Sequence, residues 1–253
     1  MRDFLRNTVL NILGSTKSIA PGIHILNSHY VSPKDVPAEI FHDLLKKLKQ
    51  SADFIKIEEA MECIQHKKNL DQKLIAFTFD DGFEECYTKI APVLNDFNTN
   101  AAFFINPGFI NGNQEYKAHF CKNIVHVNKE PMSWEMIKEL HDQGFIIGNH
   151  TYDHAKLVNL SAAQLQKQLI KSKKEIEFQL NSTCNYFAWT YGKLSDIDPS
   201  ALDLVLNSHQ YVFSSDNYTK YFSYNNQVFN RRHIEGNWPV SHVKYFLSTP
   251  KSF

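Results

Sequence analysis

Residues 74–82 read Leu-Ile-Ala-Phe-Thr-Phe-Asp-Asp-Gly, and this stretch decides how the rest of the chain is interpreted. Its first six residues are apolar enough for a strand that is buried on both faces, as in a parallel sheet. Asp80 and Asp81 follow directly, at the end of the predicted strand. Adjacent carboxylates at a strand end are costly unless a cation separates them or one of them keeps a proton. An Asp-Asp-Gly string alone is more often a turn, so the neighbouring strands decide its meaning.

Other predicted strands also end on polar side chains. His150 and His154 follow the apolar residues 145–147, and His29 follows the apolar run 23–27. In α/β barrels the carboxyl ends of the strands form one edge, where the catalytic residues collect. Two imidazoles and one carboxylate are three ligands that leave an open position for water on a zinc-like ion. Although an H-x-x-x-H spacing alone is more often a solvated helix face, the joint occurrence predicts a metal site.

Strand-like and helix-like segments alternate along the whole chain. Residues 101–105 form a further buried strand, and Ser133 and Ser161 stand at positions that cap predicted helices. The alternation predicts an α/β fold with a parallel sheet, and the number of units favours a closed or nearly closed barrel. Residues 107–131 are polar and irregular, so we expect a loop insertion near the functional end of the barrel.

The composition of the 253-residue chain is that of an ordinary globular protein. Hydrophobic residues make up 43% and charged residues 21%, which argues against disorder. The formal net charge is zero, so no general attraction to nucleic acid exists and no nucleic-acid partner is expected. The four cysteines form no C-x-x-C pair, and we expect them to be reduced thiols.

Residues 1–21 are predicted to be an N-terminal extension that precedes a catalytic domain over residues 22–253. The apolar residues of the extension can form a short amphipathic helix; they are Phe4, Leu5, Val9, Leu10, Ile12 and Leu13. Such a stripe usually faces a protein core, and peripheral membrane contact through residues 1–14 is the alternative. No apolar run of signal-peptide length is visible, so we expect a cytoplasmic protein, with attachment at the inner membrane face as an option.

The motifs at the strand ends resemble those of the polysaccharide deacetylases, carbohydrate esterase family 4. Residues 78–82, Thr-Phe-Asp-Asp-Gly, match the first family motif letter for letter, and the string His150-Thr-x-x-His154 has the spacing of the second. The resemblance extends from about residue 22 to the C-terminal region. It implies a distorted, incomplete (β/α) barrel of about seven units in a single domain. It also implies hydrolysis of an N-acetyl, or less often an O-acetyl, group on a sugar.

Site residues are carried over from the resemblance position by position. It implies that Asp81, His150 and His154 hold a divalent metal ion, with zinc as the first choice and cobalt or manganese as alternatives. It implies that Asp80 is the catalytic base. The backbone N–H of Tyr191 is expected to contact the oxyanion, because Gly192 allows that amide to turn towards the site.

The chain departs from the family pattern where the motif Arg-x-Pro-x-Gly is expected. Ala188 stands in place of the Arg that orients the base, and Thr190 stands in place of the Pro. This departure resembles the poly-N-acetylglucosamine deacetylases, whose motifs are circularly permuted. Their acid His lies near the N-terminus in a Tyr-His-x-Val string, which the string 28–31, Ser-His-Tyr-Val, resembles.

Two roles follow from this subgroup resemblance. It implies that His29 is the catalytic acid, with His233 as the alternative, because the unpermuted family has that His late in the chain. Arg232 is predicted to replace the missing Arg as the residue that holds the base, and Arg231 is nearly as plausible. The alternative for both arginines is a solvent-exposed basic pair with no role in the site.

The sequence therefore predicts a metal-dependent carbohydrate N-deacetylase that acts on an acetylated sugar or glycan in surface-polysaccharide biosynthesis. One alternative is an amidohydrolase or deformylase that acts on a non-polymeric amide. The other is a carbohydrate-binding homologue that has lost turnover. The retained Asp-Asp-His-His set argues against the last, because unpaired carboxylates cost stability without a metal or a function.

Overall fold

A largely parallel sheet surrounded by helices forms the protein in the computed structural model, which describes the backbone of residues 2–253 and the side chains of residues 6–253. The strands are β1 Gly22–Ser28, β2 Asp53–Phe54, β3 Lys73–Phe79, β4 Ala101–Ile105, β5 Ile146–Asn149, β6 Tyr186–Ala188, β7 Tyr211–Ser214, β8 Phe222–Ser223, β9 Val228–Asn230 and β10 Arg232–His233. The α-helices are α1 Arg2–Ser15, α2 Glu39–Lys49, α3 Ile57–Gln65, α4 Ala91–Asp96, α5 Pro107–Asn111, α6 Gln114–Asn123, α7 Trp134–Asp142, α8 Ala162–Leu165, α9 Ser172–Leu180, α10 Pro199–Ser208 and α11 Val240–Leu247. Two π-helical turns, Cys86–Ile90 and Gln166–Lys171, and the 3₁₀ turn Leu194–Asp196 complete the helical segments among the described residues.

The sheet closes on itself through the segment 228–233. Its strand order is β10-β1-β3-β4-β5-β6-β7-β9-β8, and β2 pairs beside β3. Strand β9 pairs in parallel with β7. Strand β10, separated from β9 by a single residue, pairs in parallel with β1. The residue between them is Arg231, and its N–H donates to the Ser214 carbonyl of β7 at 2.8 Å. Between β7 and β9 the described chain forms the short strand β8 in place of a helix. The predicted distorted, incomplete (β/α) barrel is therefore confirmed.

The strands are buried on both faces, and the period of two divides their side chains between two cores. Inside the barrel, Phe104 of β4 contacts Phe213 of β7 with 5.4 Å between ring centroids, and Phe213 contacts Phe229 of β9 at 5.6 Å. The alternate residues, among them Phe77 and Phe103, face the surrounding helices in a second buried cluster. This double burial is the physical reason why the strands read as continuous apolar runs in the sequence.

Helix α1 lies against the C-terminal helix α11. Leu10 is buried, and Ser241 Oγ donates a hydrogen bond to Asn11 Oδ1 at 2.7 Å. The other face of α1 exposes Val9, Ile12 and Leu13. Met1 and the side chains of Phe4 and Leu5 lie outside the described residues, and membrane contact through residues 1–14 stays a prediction. Among the described helices, none has the length and apolarity needed to cross a membrane.

Residues 107–131 are not the loop that the sequence predicts. They contain α5 and α6, and the Asn113 side chain caps α6 by accepting the Tyr116 N–H at 2.9 Å. Phe109 and Phe120 stack at 4.0 Å between ring centroids and form a small core of their own. Both helices are short, so the pattern of residues 107–131 does not reveal that Phe109 and Phe120 meet. By contrast, the predicted helix caps Ser133 and Ser161 are both confirmed.

A substitution at Gly148 of β5 tests the tight packing inside the barrel. An added Cβ at this position would lie 2.5 Å from Phe104 Cδ1. We expect Gly148→Ala to lower the free energy of unfolding by about 1–3 kcal/mol, because overpacking forces side chains off their rotamers. Urea denaturation measures the change. Combining it with Phe104→Leu should cost less than the sum of the two single changes, and strictly additive costs would contradict the contact.

Candidate metal and catalytic site

The carboxyl ends of β1, β3, β5 and β6 bring four of the predicted site residues, His29, Asp81, His154 and Tyr191, to one cleft of about 190 Å³. The cleft is lined by His29, Tyr30, Asp81, Ile124, Val125, His154 and Tyr191. Parallel strands end at the same edge of a barrel, so segments that are distant in the sequence meet there. The position of the cleft agrees with that rule.

Asp81, His150 and His154 form a buried cluster that can hold a metal ion. Asp81 Oδ1 lies 3.5 Å from His150 Nε2 and 3.2 Å from His154 Nε2. One potential ligand atom from each of the three residues lies within 4.8 Å of the others. Within the part of the chain that the structure describes, no hydrogen bond reaches Asp81 Oδ1, although this oxygen is buried. A buried carboxylate oxygen without a donor fits a cation ligand.

The hydrogen bonding of His150 fixes which of its nitrogens faces the cluster. Its Nδ1 lies 2.7 Å from the Ala188 carbonyl, which can only accept, so Nδ1 carries the proton and Nε2 keeps a free lone pair. Metal-binding imidazoles commonly donate their other N–H to a backbone carbonyl in this way. Ala188, which replaces the family Arg, therefore contributes its carbonyl to the site.

The charge states of the cluster also suit a divalent cation. Burial lowers the pKa of His150 to about 4, although Asp80 and Asp81 oppose the shift, so the ring is neutral at pH 7. Burial tends to raise the pKa of Asp81, but the nearby His154, His29 and His150 outweigh it and hold that pKa below its ordinary value. The ionised Asp81 carboxylate, the neutral His150 ring and a second imidazole match the ligands of zinc-like ions.

Asp80 lies next to this cluster and pairs with Arg231. The two guanidinium nitrogens Nη1 and Nη2 donate to Asp80 Oδ1 and Oδ2 at 2.7 and 2.8 Å. Burial tends to raise the pKa of Asp80, yet the charge of Arg231, the hydrogen bonds from Arg231 and the nearby His150 and His29 hold it below its ordinary value. Asp80 is therefore an ionised carboxylate beside the metal cluster.

The prediction that Arg232 holds the base is wrong by one position. Arg231 is fully buried and makes the contact with Asp80. The Arg232 guanidinium instead lies over the ring of Phe246, 3.9 Å from its centroid, and over Tyr218 at 4.4 Å. Side chains alternate between the two faces of a strand, so Phe229 and Arg231 face the barrel interior while Arg232 faces outward.

His29 and His233 lie side by side, with 5.5 Å between ring centroids. His29 lines the cleft that contains Asp81. His233 Nε2 lies 3.1 Å from Glu235 Oε1 and is not among the residues that line this cleft. The position of His29 at the end of β1 thus brings it closer to the candidate metal site than its competitor.

Tyr191 stands at the rim of the cleft. Its ring packs edge-on against His154 at 5.0 Å, and 55% of the residue is exposed. Tyr191 has a φ of 64°, and Asp81 and His154 are also left-handed, with φ values of 73° and 60°. Non-glycine residues in this region are uncommon and cluster at functional sites.

Ile124 and Val125 are site residues that sequence reasoning missed. They follow α6 in the 107–131 segment and give the cleft an apolar wall beside Tyr30. Their only sequence signal is a pair of apolar residues within a segment that otherwise reads as polar. The aromatic core beneath α5 and α6 places them at the cleft.

A sequence model of the family described as polysaccharide deacetylase matches residues 67–210, which is more than half of the chain. The chain belongs to the polysaccharide deacetylase family. Two curated relatives are peptidoglycan-N-acetylmuramic acid deacetylase PdaA of Bacillus subtilis, 32% identical over 43% of this chain and 34% of its own length, and a peptidoglycan-N-acetylglucosamine deacetylase of Bacillus cereus, 30% identical over 42% and 41%. The chain thus spans less than half the length of these relatives.

Solved structures of low sequence identity have the same fold. IcaB from Ammonifex degensii matches with a TM-score of 0.69 and 22% identity, over 92% of this chain and 100% of that chain. The Streptococcus pyogenes deacetylase PplD in complex with acetate matches with a TM-score of 0.64 and 18% identity, over 90% and 97%. The family match of 67–210 contains Asp80 and the candidate metal ligands Asp81, His150 and His154, whereas β1 and the segment 228–233 lie outside it.

The Asp80–Arg231 pair predicts a pH-dependent difference between two matched variants. Arg231→Met leaves Asp80 buried and unpaired, so we expect a loss of about 3–5 kcal/mol in the free energy of unfolding at pH 7. Arg232→Met removes the contacts of the guanidinium with the rings of Phe246 and Tyr218, and we expect a loss of about 1 kcal/mol. Chemical denaturation of both variants measures these losses.

The sign of the pH effect follows from the lowered pKa of Asp80. The pair contributes stability above the ordinary Asp pKa of about 4 and loses it as pH falls. In Arg231→Met, protonation of Asp80 removes the unpaired charge, so its deficit relative to the unaltered protein should shrink towards pH 4. Equal losses in the two variants, or a deficit independent of pH, would contradict the assignment.

Proposed function

We propose that the protein is a metal-dependent N-deacetylase acting on an acetylated sugar or glycan. The observation that carries the proposal is the division of labour between the adjacent carboxylates. Asp81 faces two imidazoles, while Asp80 stays free of that cluster and is oriented by Arg231. A three-ligand site next to a free, ionised carboxylate is the arrangement that metal-assisted hydrolysis requires.

The proposed mechanism assigns the first proton transfer to Asp80. A divalent cation bound by Asp81, His150 and His154 would lower the pKa of a water and polarise the amide carbonyl. Asp80 accepts a proton from the attacking water, and the bidentate contact with Arg231 fixes the direction of its oxygens. The Tyr191 backbone N–H is proposed to donate a hydrogen bond to the oxygen on which negative charge develops.

The second proton transfer is assigned to His29. An amine is a very poor leaving group unless it is protonated as the C–N bond breaks. His29 follows β1 and lines the same cleft as His154 and Tyr191, so it is proposed to reach a leaving group held there. His233 lies beside His29, does not line the cleft, and is paired with Glu235.

The substrate is proposed to be an N-acetylated amino sugar. Curated relatives are named for N-acetylated peptidoglycan sugars, which supports an amide substrate on a sugar. The apolar wall of Ile124, Val125 and Tyr30 suits the acetyl methyl or the apolar face of a sugar ring. A role in surface-polysaccharide biosynthesis, on a substrate such as poly-N-acetylglucosamine, rests on the Ser-His-Tyr-Val string at 28–31 and on Arg231 taking the place of the missing family Arg.

Asp80→Asn is the variant that tests the base. It keeps the hydrogen bonding capacity for Arg231 in part but cannot accept the proton, so we expect acetate release to fall by about 10²–10⁴-fold while a bound divalent ion is retained. Asp203→Asn, an exposed change on α10, is the matched control and should leave activity unchanged. Metal content and acetate release are measured on the same samples. Near-normal turnover in Asp80→Asn would overturn the role.

The substrate class is tested by the acids that the enzyme releases. Purified protein supplied with Zn²⁺, Co²⁺ or Mn²⁺ should release acetate from N-acetylglucosamine oligomers or acetylated nucleotide sugars, and a chelator should abolish this. Turnover confined to formamides or to acetamides without a sugar would favour the amidohydrolase alternative. Absence of both metal binding and turnover would favour the binding homologue.

His29→Asn tests the catalytic acid by comparing two substrates, one whose leaving group must be protonated and one whose leaving group need not be. We expect it to lose about 10²–10⁴-fold in N-acetyl hydrolysis, yet to keep hydrolysis of 4-nitrophenyl acetate, whose leaving group needs no proton. His233→Asn is the comparison and should lose far less on the amide. If His233→Asn shows the selective amide defect and His29→Asn does not, the acid is His233.

A further inference from the structure

We propose that Gln168 is a positioning residue that holds the loop between the two imidazole ligands and thereby fixes the geometry of the metal site. The inference rests on the proposed metal role of His150 and His154. It concerns a side chain on the helical segment behind the site, outside the cleft itself. Gln168 is 5% exposed in the middle of that segment, where a polar side chain is costly unless its hydrogen bonds are satisfied.

The loop 150–154 needs external support because its backbone is strained. Thr151 and His154 have φ values of 66° and 60°. A β-branched residue such as Thr151 rarely adopts this left-handed conformation, and such positions cost of order 1–3 kcal/mol each. The conformation persists only where neighbouring groups determine it. It also turns His154 back towards Asp81 within four residues of His150.

Two asparagines and a glycine support the first part of the loop. Asn149 Oδ1 accepts the Thr151 N–H at 3.0 Å, and Asn106 Nδ2 donates to the carbonyls of His150 and Thr151. The Gly108 N–H donates to the Tyr152 carbonyl at 2.7 Å. The amides of residues 152 and 153 are not served by these contacts.

Gln168 supplies the hydrogen bonds for those two amides. Its Oε1 accepts the Tyr152 N–H at 3.1 Å and the Asp153 N–H at 3.2 Å. Its Nε2 donates to the Asp153 carboxylate at 2.5 Å. One side chain therefore grips the loop at its midpoint, between the two ligands, through both its acceptor and its donor.

A π-helical turn brings Gln168 to the loop. Residues Gln166–Lys171 form this turn between α8 and α9, and such turns are rare and frequent at functional sites. Within it, the Leu169 carbonyl accepts a hydrogen bond from Asn149 Nδ2 at 3.1 Å. Neighbouring residues of the turn thus contact both the end of β5 and the loop that follows it.

Gln168→Leu tests the inference through metal binding rather than turnover. It removes all three hydrogen bonds to the loop at similar volume, and we expect the affinity for Zn²⁺ and Co²⁺ to fall by about 10–100-fold, as for other groups that orient metal ligands. A chelator competition measures the affinity of each metal ion. The absorption spectrum of the Co²⁺ form should change, because it reports the coordination geometry.

A donor–acceptor exchange provides a rescue. Gln168→Glu keeps the acceptor for the two amides but faces the Asp153 carboxylate, so we expect weakened metal binding. Adding Asp153→Asn restores a donor opposite an acceptor and the original total charge, and affinity should return to within about threefold of the unaltered protein. Leu202→Ala, a buried change on α10 in the same core cluster as Leu169, controls for lost stability and should bind metal normally.

The outcomes separate this inference from the proposed function. Unchanged affinity and an unchanged Co²⁺ spectrum in Gln168→Leu would overturn the positioning role alone. A loss of affinity in Leu202→Ala equal to that in Gln168→Leu would also overturn it, because general destabilisation would then be the cause. Failure of the unaltered protein to bind any divalent ion would overturn the proposed function, and this inference with it.

Discussion

The buried contact between Arg231 and Asp80 is the interaction on which the rest of the site depends. A fully buried guanidinium is tolerated only with a paired carboxylate and further acceptors, and here Thr78 Oγ1 also accepts from Arg231 at 3.1 Å. Arg231 lies at the break between β9 and β10, the point where the sheet closes on β1. The same residue, Arg231, therefore lies where the barrel closes and orients the proposed base. Arg231 gives Asp80 the guanidinium partner that Ala188 does not provide.

Two adjacent carboxylates can take different roles because the backbone turns between them. Asp80 directly follows β3 and pairs with Arg231, and Asp81 enters the left-handed region with a φ of 73°. The turn directs the second carboxylate towards His150 and His154 while the first remains on the guanidinium. Asp80 thus has the guanidinium as its cationic partner, and Asp81 faces the two imidazoles with which it would share a metal ion, an arrangement that reduces the repulsion within an Asp-Asp pair. The loop 150–154, which carries both imidazoles, is fixed by hydrogen bonds with the side chains of Asn106, Asn149 and Gln168.

Much of the fold and part of the site follow from the sequence. Continuous apolar strands predict a parallel barrel, which the structure confirms. The polar residues at the strand ends predict its functional edge, and four of them line the candidate cleft there. The choice between Arg231 and Arg232 depends on strand parity, since a shift of one residue exchanges the two faces. Phe229 faces the barrel interior, and Arg231, two residues later, therefore faces it as well, but the sequence alone does not give the orientation of Phe229. The π turn around Gln168 and the helices within 107–131 depend on tertiary contacts that a local sequence pattern does not record.

The central claim is that one divalent cation is shared by Asp81, His150 and His154 while Asp80 stays on Arg231. The most direct measurement is anomalous X-ray diffraction from crystals of the protein soaked with Zn²⁺. The account predicts a single strong peak at the cleft, with ligand distances of about 2.0–2.2 Å to one Asp81 oxygen and to an imidazole nitrogen of each His. The Asp80 carboxylate should remain bidentate on Arg231. A zinc ion bound elsewhere, or Asp80 drawn from Arg231 into the coordination sphere, would contradict the account.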